Sequence, residues 1–218
     1  MSIGTILLLV TGVLILFGVG QRVLDRLHLT DREAILFIAL IIAGGFLPDI
    51  RVTEGFAFNV GGALLPLLLC LRLFYKADTA AERGRALLAS IVTAVTVYAL
   101  GQFLPAEPEA MIVDPNYAYG IAAGVIAYAF GRSRRCAFIA GVLGVMLENV
   151  AAWATAVLSG AQQRLVLGGA GAYDVIVVSG LIAVLLAELI GELLERAARG
   201  RRPVAVISGG RMVGEARK

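Results

Sequence analysis

Residues 168–191 read GGAGAYDVIVVSGLIAVLLAELIG. A glycine-rich run ends in Tyr173–Asp174 and passes directly into an apolar segment. A helix of about 20 such residues crosses the roughly 30 Å of hydrocarbon in a bilayer. Within this stretch a flexible backbone, an acid and a bilayer boundary lie side by side, and the rest of the chain repeats its apolar theme.

The chain of 218 residues is 59% hydrophobic and only 16% charged. A soluble domain carries about 25% charged residues. Backbone groups placed in lipid must pair internally, which helices achieve and isolated loops do not. The 26 glycines fall mostly inside the apolar blocks, where small residues let helix backbones approach closely. The expected fold is therefore all-α, a polytopic helical membrane protein of about seven spans. Residues 1–194 form the transmembrane domain in this reading, and 195–218 a basic cytoplasmic tail.

The spans fall at about 3–20, 31–47, 56–75, 86–104, 116–131, 136–159 and 174–194. The first lacks a basic leader and a cleavage site, so it reads as an uncleaved helix. Thr30 and Glu33 have capping-box spacing ahead of the second span. A brief loop at 48–55 precedes the third. Asp114–Pro115 reads as an N-cap with proline at the first helical position of the fifth. Small residues form stripes at Gly120, Gly124, Ala127 and Gly131, and at Gly180, Ala183, Ala187 and Gly191. In the sixth span Ala140, Gly144, Glu148, Ala151 and Thr155 share one helix face. The segments 204–207 and 211–213 have the pattern of a small hairpin.

Seventeen of the 19 Lys and Arg residues accompany the connections after spans one, three and five or lie in the tail; Arg51 and Arg164 fall on the other side. The positive-inside rule then places the N-terminus outside and the C-terminus in the cytoplasm. The tail arginines, Arg199, Arg201 and Arg202 among them, suit anionic lipid headgroups. The basic balance follows topology and does not point to nucleic acid.

Several seven-helix chemistries fail on a missing residue. Both lysines, Lys76 and Lys218, lie outside the spans, which excludes a retinal Schiff base. The single histidine, His28, lies in a connection. That removes bis-histidine haem, serine–histidine proteolysis, HExxH zinc sites and histidine-dependent lipid-phosphate phosphatases. Cys70 and Cys136 have neither metal-ligand spacing nor a disulfide-forming context. No cofactor and no metal centre is expected.

What remains is a set of polar groups inside the bilayer. Glu148 stands near the middle of the sixth span, where an acid costs on the order of 3 kcal/mol and must face protein or water. Asn149 is its neighbour. Asp174 begins the seventh span, where a carboxylate caps free N–H groups and the helix dipole favours it. Asp114 has the same standing at the fifth span. Asn59 lies one turn into the third, beside Gly61 and Gly62. Together these five residues define an expected acidic pocket open to the outer side.

The runs GGAGAYD and VIVVSGLIAVLLA, with FIAGVLGVMLENV and NVGGALLPLLL before them, resemble a family of prokaryotic integral membrane proteins catalogued only as a domain of unknown function. The resemblance covers about 24–194 and implies the bacterial or archaeal cytoplasmic (inner) membrane as location. It also implies an aspartate in the sixth span, at Val150 by ungapped match, where this chain offers Glu148. A fainter likeness is to intramembrane aspartyl proteases, which pair an aspartate with a GxGD motif in the next span. Here Ala172 and Tyr173 separate Gly169-Ala170-Gly171 from Asp174, so GxGD is not matched.

These observations lead to a multi-pass membrane protein that transports or senses a small solute or cation. The alternatives are an aspartyl-protease-like enzyme and a non-catalytic scaffold. The bilayer is the expected partner.

Overall fold

Asn59 is the residue at which a strand becomes a helix. The computed structural model describes residues 31–103, 115–131 and 133–199. Its order is helix α1 (Asp31–Gly45), strand β1 (Ile50–Thr53), strand β2 (Phe56–Phe58), a wide turn (Val60–Leu64) and helix α2 (Leu65–Tyr75). Helices α3 (Ala80–Phe103), α4 (Pro115–Gly131) and α5 (Arg134–Leu158), strand β3 (Leu165–Leu167) and helix α6 (Val175–Arg199) follow. The first expected span, Thr30 and the 204–213 hairpin lie outside the described residues. The chain divides after Glu188 into two compact units. The sheet and the packed helices belong to the first.

The chain is mostly helical, as expected, and the departure is a three-stranded sheet. Its order is β1-β2-β3. β1 and β2 form an antiparallel hairpin with Ile50 opposite Phe58. β2 and β3 run parallel, pairing Phe56 with Leu165 and Phe58 with Leu167. The all-α expectation is corrected here, and so is the start of the third span. Phe56 begins a central strand, and the helical turns open only after Asn59. Strands of three and four residues are too short for a two-residue period to register against apolar surroundings.

Successive helices reverse direction. Glu33 of α1 pairs with Arg72 of α2, while at the other end Gly44 faces Gly61. α3 and α5 run parallel, since Ser133 meets Glu82 and Gly144 meets Thr93. α6 returns against α5, with Gly141 at Ser179 and Arg134 paired to Glu188. On α4, Gly120 faces Val178 and Gly124 faces Ile182, so the small stripe expected there packs on α6. The bundle thus has a charged end and a sheet end.

Large apolar residues lie both in the interior, at Leu73, Ile139, Val142, Val145 and Ile176, and on the surface of the bundle. The interior is lined by Ala123, Ala127, Ala137, Ala140 and Ala183 at 0% exposure, with Ser90, Thr93 and Ser179 among them. Leu36, Leu68, Leu88, Ile91, Val95 and Ile121 point outward. Among the described residues, α3 over Ala80–Gln102 and all of α5 are long and apolar enough to cross a membrane, and four shorter apolar helices accompany them.

Candidate functional site

Asn59 is buried and fully engaged. Its Oδ1 accepts from the N–H groups of Gly61 (2.9 Å) and Gly62 (3.0 Å). Its Nδ2 donates to Leu47 O at 3.3 Å and to Asp49 Oδ1 at 3.0 Å. Its own N–H donates to Leu167 O at 2.8 Å. One residue thereby ties the segment after α1 and the start of the α2 turn together through its side chain, and holds the sheet through its backbone N–H. An amide suits this place because it accepts and donates at once. A carboxylate would lack the donor.

The glycine-rich run packs beside this hub. An added Cβ on Gly61 would lie 2.2 Å from Gly45 N, and one on Gly62 only 2.1 Å from Gly168 O. Gly171, with φ +61°, meets Gly45. The run therefore serves backbone-to-backbone contact among α1, the α2 turn and the β3–α6 loop, a use of glycine that no side chain permits.

Asp174 caps α6. Its Oδ1 accepts from Ile176 N at 3.0 Å and its Oδ2 from Ala170 N at 3.3 Å. Oδ1 thereby holds a first-turn donor of α6 that would otherwise be orphaned, and Oδ2 holds a donor of the preceding loop. Asn149 turns back on its own helix, donating to Val145 O at 3.1 Å.

Glu148 is different. It is half-buried on α5, about 21 Å from the Arg134 end and about 15 Å from the Leu158 end at 1.5 Å per residue. Among the described residues its carboxyl makes no hydrogen bond or ion pair. The face it shares with Ala140 and Gly144 is buried in its first half, while Ala151 and Thr155 are exposed. Glu148 stands where that face leaves the bundle. No hydrogen bond or ion pair joins Glu148 to Asn59, Asn149 or Asp174 among the described residues. Asp114, Arg201 and Arg202 lie outside those residues, and Arg199 closes α6.

Two features escaped the sequence reading. The first is the charged end. Arg135 is 8% exposed and donates to Lys76 O at 2.9 Å and to Asp78 Oδ2 at 2.8 Å. Glu82 Oε2 lies 3.7 Å from it. Ser133 caps α5 through Cys136 N and donates to Glu82 Oε1 at 3.1 Å. The signal was the acidic Asp78 ahead of α3 and Glu82 in its first turn, facing the arginines that begin α5. The second is Thr93, whose hydroxyl is buried without a partner among the described residues. Cys70 and Cys136 are both free and buried. Among the described residues no group of three His, Cys, Asp or Glu is placed to hold a metal ion.

The arrangement defines an alternating helical bundle with large apolar side chains both inside and outside, ion pairs at one end and a glycine-locked sheet at the other. The family described as Protein of unknown function (DUF1614) matches residues 24–186, and the chain belongs to it. No curated protein and no solved structure matches the chain.

Proposed function

We propose that this is an integral membrane protein of seven spans, N-terminus outside and tail in the cytoplasm, in which Glu148 takes up a proton or a small cation. The membrane assignment is supported by the outward leucines, isoleucines and valines, and by the alanines and glycines at which helices meet. Apolar surface of that extent marks lipid or a partner, and small residues inside are how helices pack in lipid. The orientation is supported by the basic residues gathered at the charged end.

The observation that carries the functional reading is the carboxyl of Glu148, without a partner among the described residues, midway along a 25-residue apolar helix. A lone acid at that depth costs about 3 kcal/mol, and acids kept there mark ion or proton pathways. Binding a proton or a cation neutralises it. Asn59 and Asp174 support the site from the sheet end by fixing α1, α2 and α6, while Asp114 and the tail arginines keep their proposed roles at the outer mouth and at lipid headgroups. A shared-proton protease dyad is disfavoured, because both oxygens of Asp174 already hold N–H groups.

The test is an infrared titration of the purified protein in lipid nanodiscs. A carboxyl band that titrates in the native chain and is missing in Glu148→Gln is the expected result. Proteoliposomes carrying an internal pH dye should also lose sodium-driven or pH-driven flux in that variant. Identical titration and flux in a well-folded Glu148→Gln protein would remove the reading.

A further inference from the structure

The exposed apolar side of α1 does not stop where the helix does. Leu36, Leu40 and Leu47 stand in one row and Ile35, Ile42 and Phe46 in the next, at helical spacings of four and seven. All six are exposed. Phe46 and Leu47 lie past Gly45, but their N–H groups donate to Ala43 O and Gly44 O, each at 3.2 Å, and so carry the helical path onward. β1 then adds Ile50 and Val52. Phe46 is 82% exposed and Val52 58%. A continuous apolar strip of this kind marks lipid or a partner.

Two lengths set the depth of the strip in the spanning bundle proposed above. The apolar part of α1, Ile35–Gly45, covers about 16 Å at 1.5 Å per residue, roughly half of the hydrocarbon layer. The chain is therefore still inside the bilayer when it leaves the helix. On α5, Trp153 lies 17 positions after Cys136, about 26 Å from the arginine end at the same rise. Its ring packs on Phe56 of β2 with centroids 5.6 Å apart, and its indole N–H donates to Gln163 O at 3.1 Å. The sheet thus stands near the outer boundary of the hydrocarbon, where tryptophan is favoured. Any tilt of α5 would only set it deeper.

We propose that the face formed by Phe46, Leu47, Ile50 and Val52 is seated on outer-leaflet phospholipid, with acyl chains against these side chains and β1 at the headgroup boundary. This rests on the membrane-spanning reading given above and extends its lipid surface from the helices to the hairpin. The backbone favours lipid over a partner strand. β1 is an edge strand of four residues whose register shifts between Arg51 and Thr53, and a bulge of that kind blunts an edge against further pairing. The free edge needs hydrogen-bond partners that hydrocarbon lacks. Ester, phosphate and water at the boundary supply them. Arg51, exposed between Ile50 and Val52, suits a phosphate through its guanidinium. Asp49 and Glu54 flank it, so the face is not cationic and its attraction is to the acyl region rather than to anionic headgroups.

The experiment is depth-dependent fluorescence quenching of the full chain in phosphatidylcholine nanodiscs. A polarity-sensitive thiol dye is placed on Val52→Cys, on Ile91→Cys in the middle of α3 and on Ala81→Cys at the charged end. All three positions are exposed, so none of the changes disturbs a buried contact. Cys70 and Cys136 are both buried, so the introduced thiol takes the label. The lipid carries a nitroxide either just below the ester or at the chain end, and iodide is the aqueous quencher. Dye on Val52→Cys should lose most of its fluorescence to the shallow nitroxide, less to the deep one and little to iodide. Ile91→Cys should respond to the deep nitroxide and Ala81→Cys to iodide. Iodide quenching of Val52→Cys equal to that of Ala81→Cys, with Ile91→Cys still quenched by lipid, overturns this inference and leaves the spanning reading standing. Shielding of Val52→Cys from both lipid and iodide overturns it too, because a second copy or another segment of the chain would then cover the face. Absence of lipid quenching at Ile91→Cys removes the spanning reading itself, and this inference with it.

Discussion

Gly62 and Gly168 meet backbone to backbone: a methyl group on Gly62 would lie 2.1 Å from the Gly168 carbonyl oxygen, and one on Gly168 would lie 2.3 Å from the Gly62 carbonyl carbon. Gly168 also has φ +71°, which side-chain-bearing residues rarely adopt. Neither neighbour is a flexible side chain that can swing away, so the backbone itself would have to move.

Gly62→Ala and Gly168→Ala should each destabilise the protein by about 3 kcal/mol or more, the range of overpacked and strained sites. Gly84 is the contrast. It lies on α3 with none of the described residues within 4 Å of an added Cβ, so Gly84→Ala should stabilise by about 0.5–1 kcal/mol through helix propensity. Thermal melts in detergent read both. A Gly62→Ala protein that melts with the native one would mean that this junction is looser than its backbone contacts imply.

The junction also explains what could be read from the sequence and what could not. Helix positions followed from apolar length and small-residue stripes, because those patterns are local. The pairing of β2 with β3 joins Phe56 to Leu165, and nothing local in either short segment announces the other. The same holds for GGAG. Its glycines signalled freedom or close approach, but the partner, Gly61–Gly62, lies about a hundred residues earlier in the chain. Asn59 and Asp174 were recognisable as polar groups at span ends. Their work as a hub and a cap depends on backbone donors whose positions only the fold defines. Glu148 stood out for the opposite reason, since the cost of an acid within an apolar helix is set by its immediate surroundings.

Arg135 should be the most sensitive position at the charged end. Its side chain is 10% exposed, whereas Asp78 is 64% exposed, so the two partners are unequal. Arg135→Ala removes the donors to Lys76 O and Asp78 and leaves Glu82 without that charge, a loss of about 2–3 kcal/mol. Asp78→Ala removes a solvent-screened partner and should cost about 1 kcal/mol or less. Arg135→Lys should rescue poorly, because an ammonium lacks the planar fork that serves two acceptors in fixed directions. Equal losses for Arg135→Ala and Asp78→Ala would contradict this ranking.

Asp174 separates capping from ligand binding. Asp174→Ala leaves the N–H groups of Ile176 and Ala170 without the carboxylate and should cost about 1 kcal/mol, the usual value of an N-cap. Asp174→Asn keeps one acceptor and should fall between. If the cap is the whole role, the infrared titration of Glu148 stays native in both variants. A shifted Glu148 titration with unchanged melting would instead make Asp174 part of the Glu148 site.

Topology is the broadest prediction. If the alternating bundle crosses the membrane as proposed, the charged end faces the cytoplasm and the sheet end faces outward. Cys70 and Cys136 are both buried, so a native background reacts little with an impermeant maleimide. Ala81 and Gln163 are exposed at opposite ends, and Glu107 belongs to the connection between α3 and α4. In intact cells Gln163→Cys and Glu107→Cys should label, while Ala81→Cys should label only after permeabilisation. In the proposed topology the basic residues divide seventeen to two between the two sides, the bias from which its orientation is argued. Reversing one loop alone would break the alternation of helices, so all three positions must change together. Labelling of Ala81→Cys in intact cells, with protection of the other two, would invert the orientation and turn the Glu148 carboxyl to face the opposite compartment. Equal labelling of all three without permeabilisation would remove the membrane-spanning reading itself.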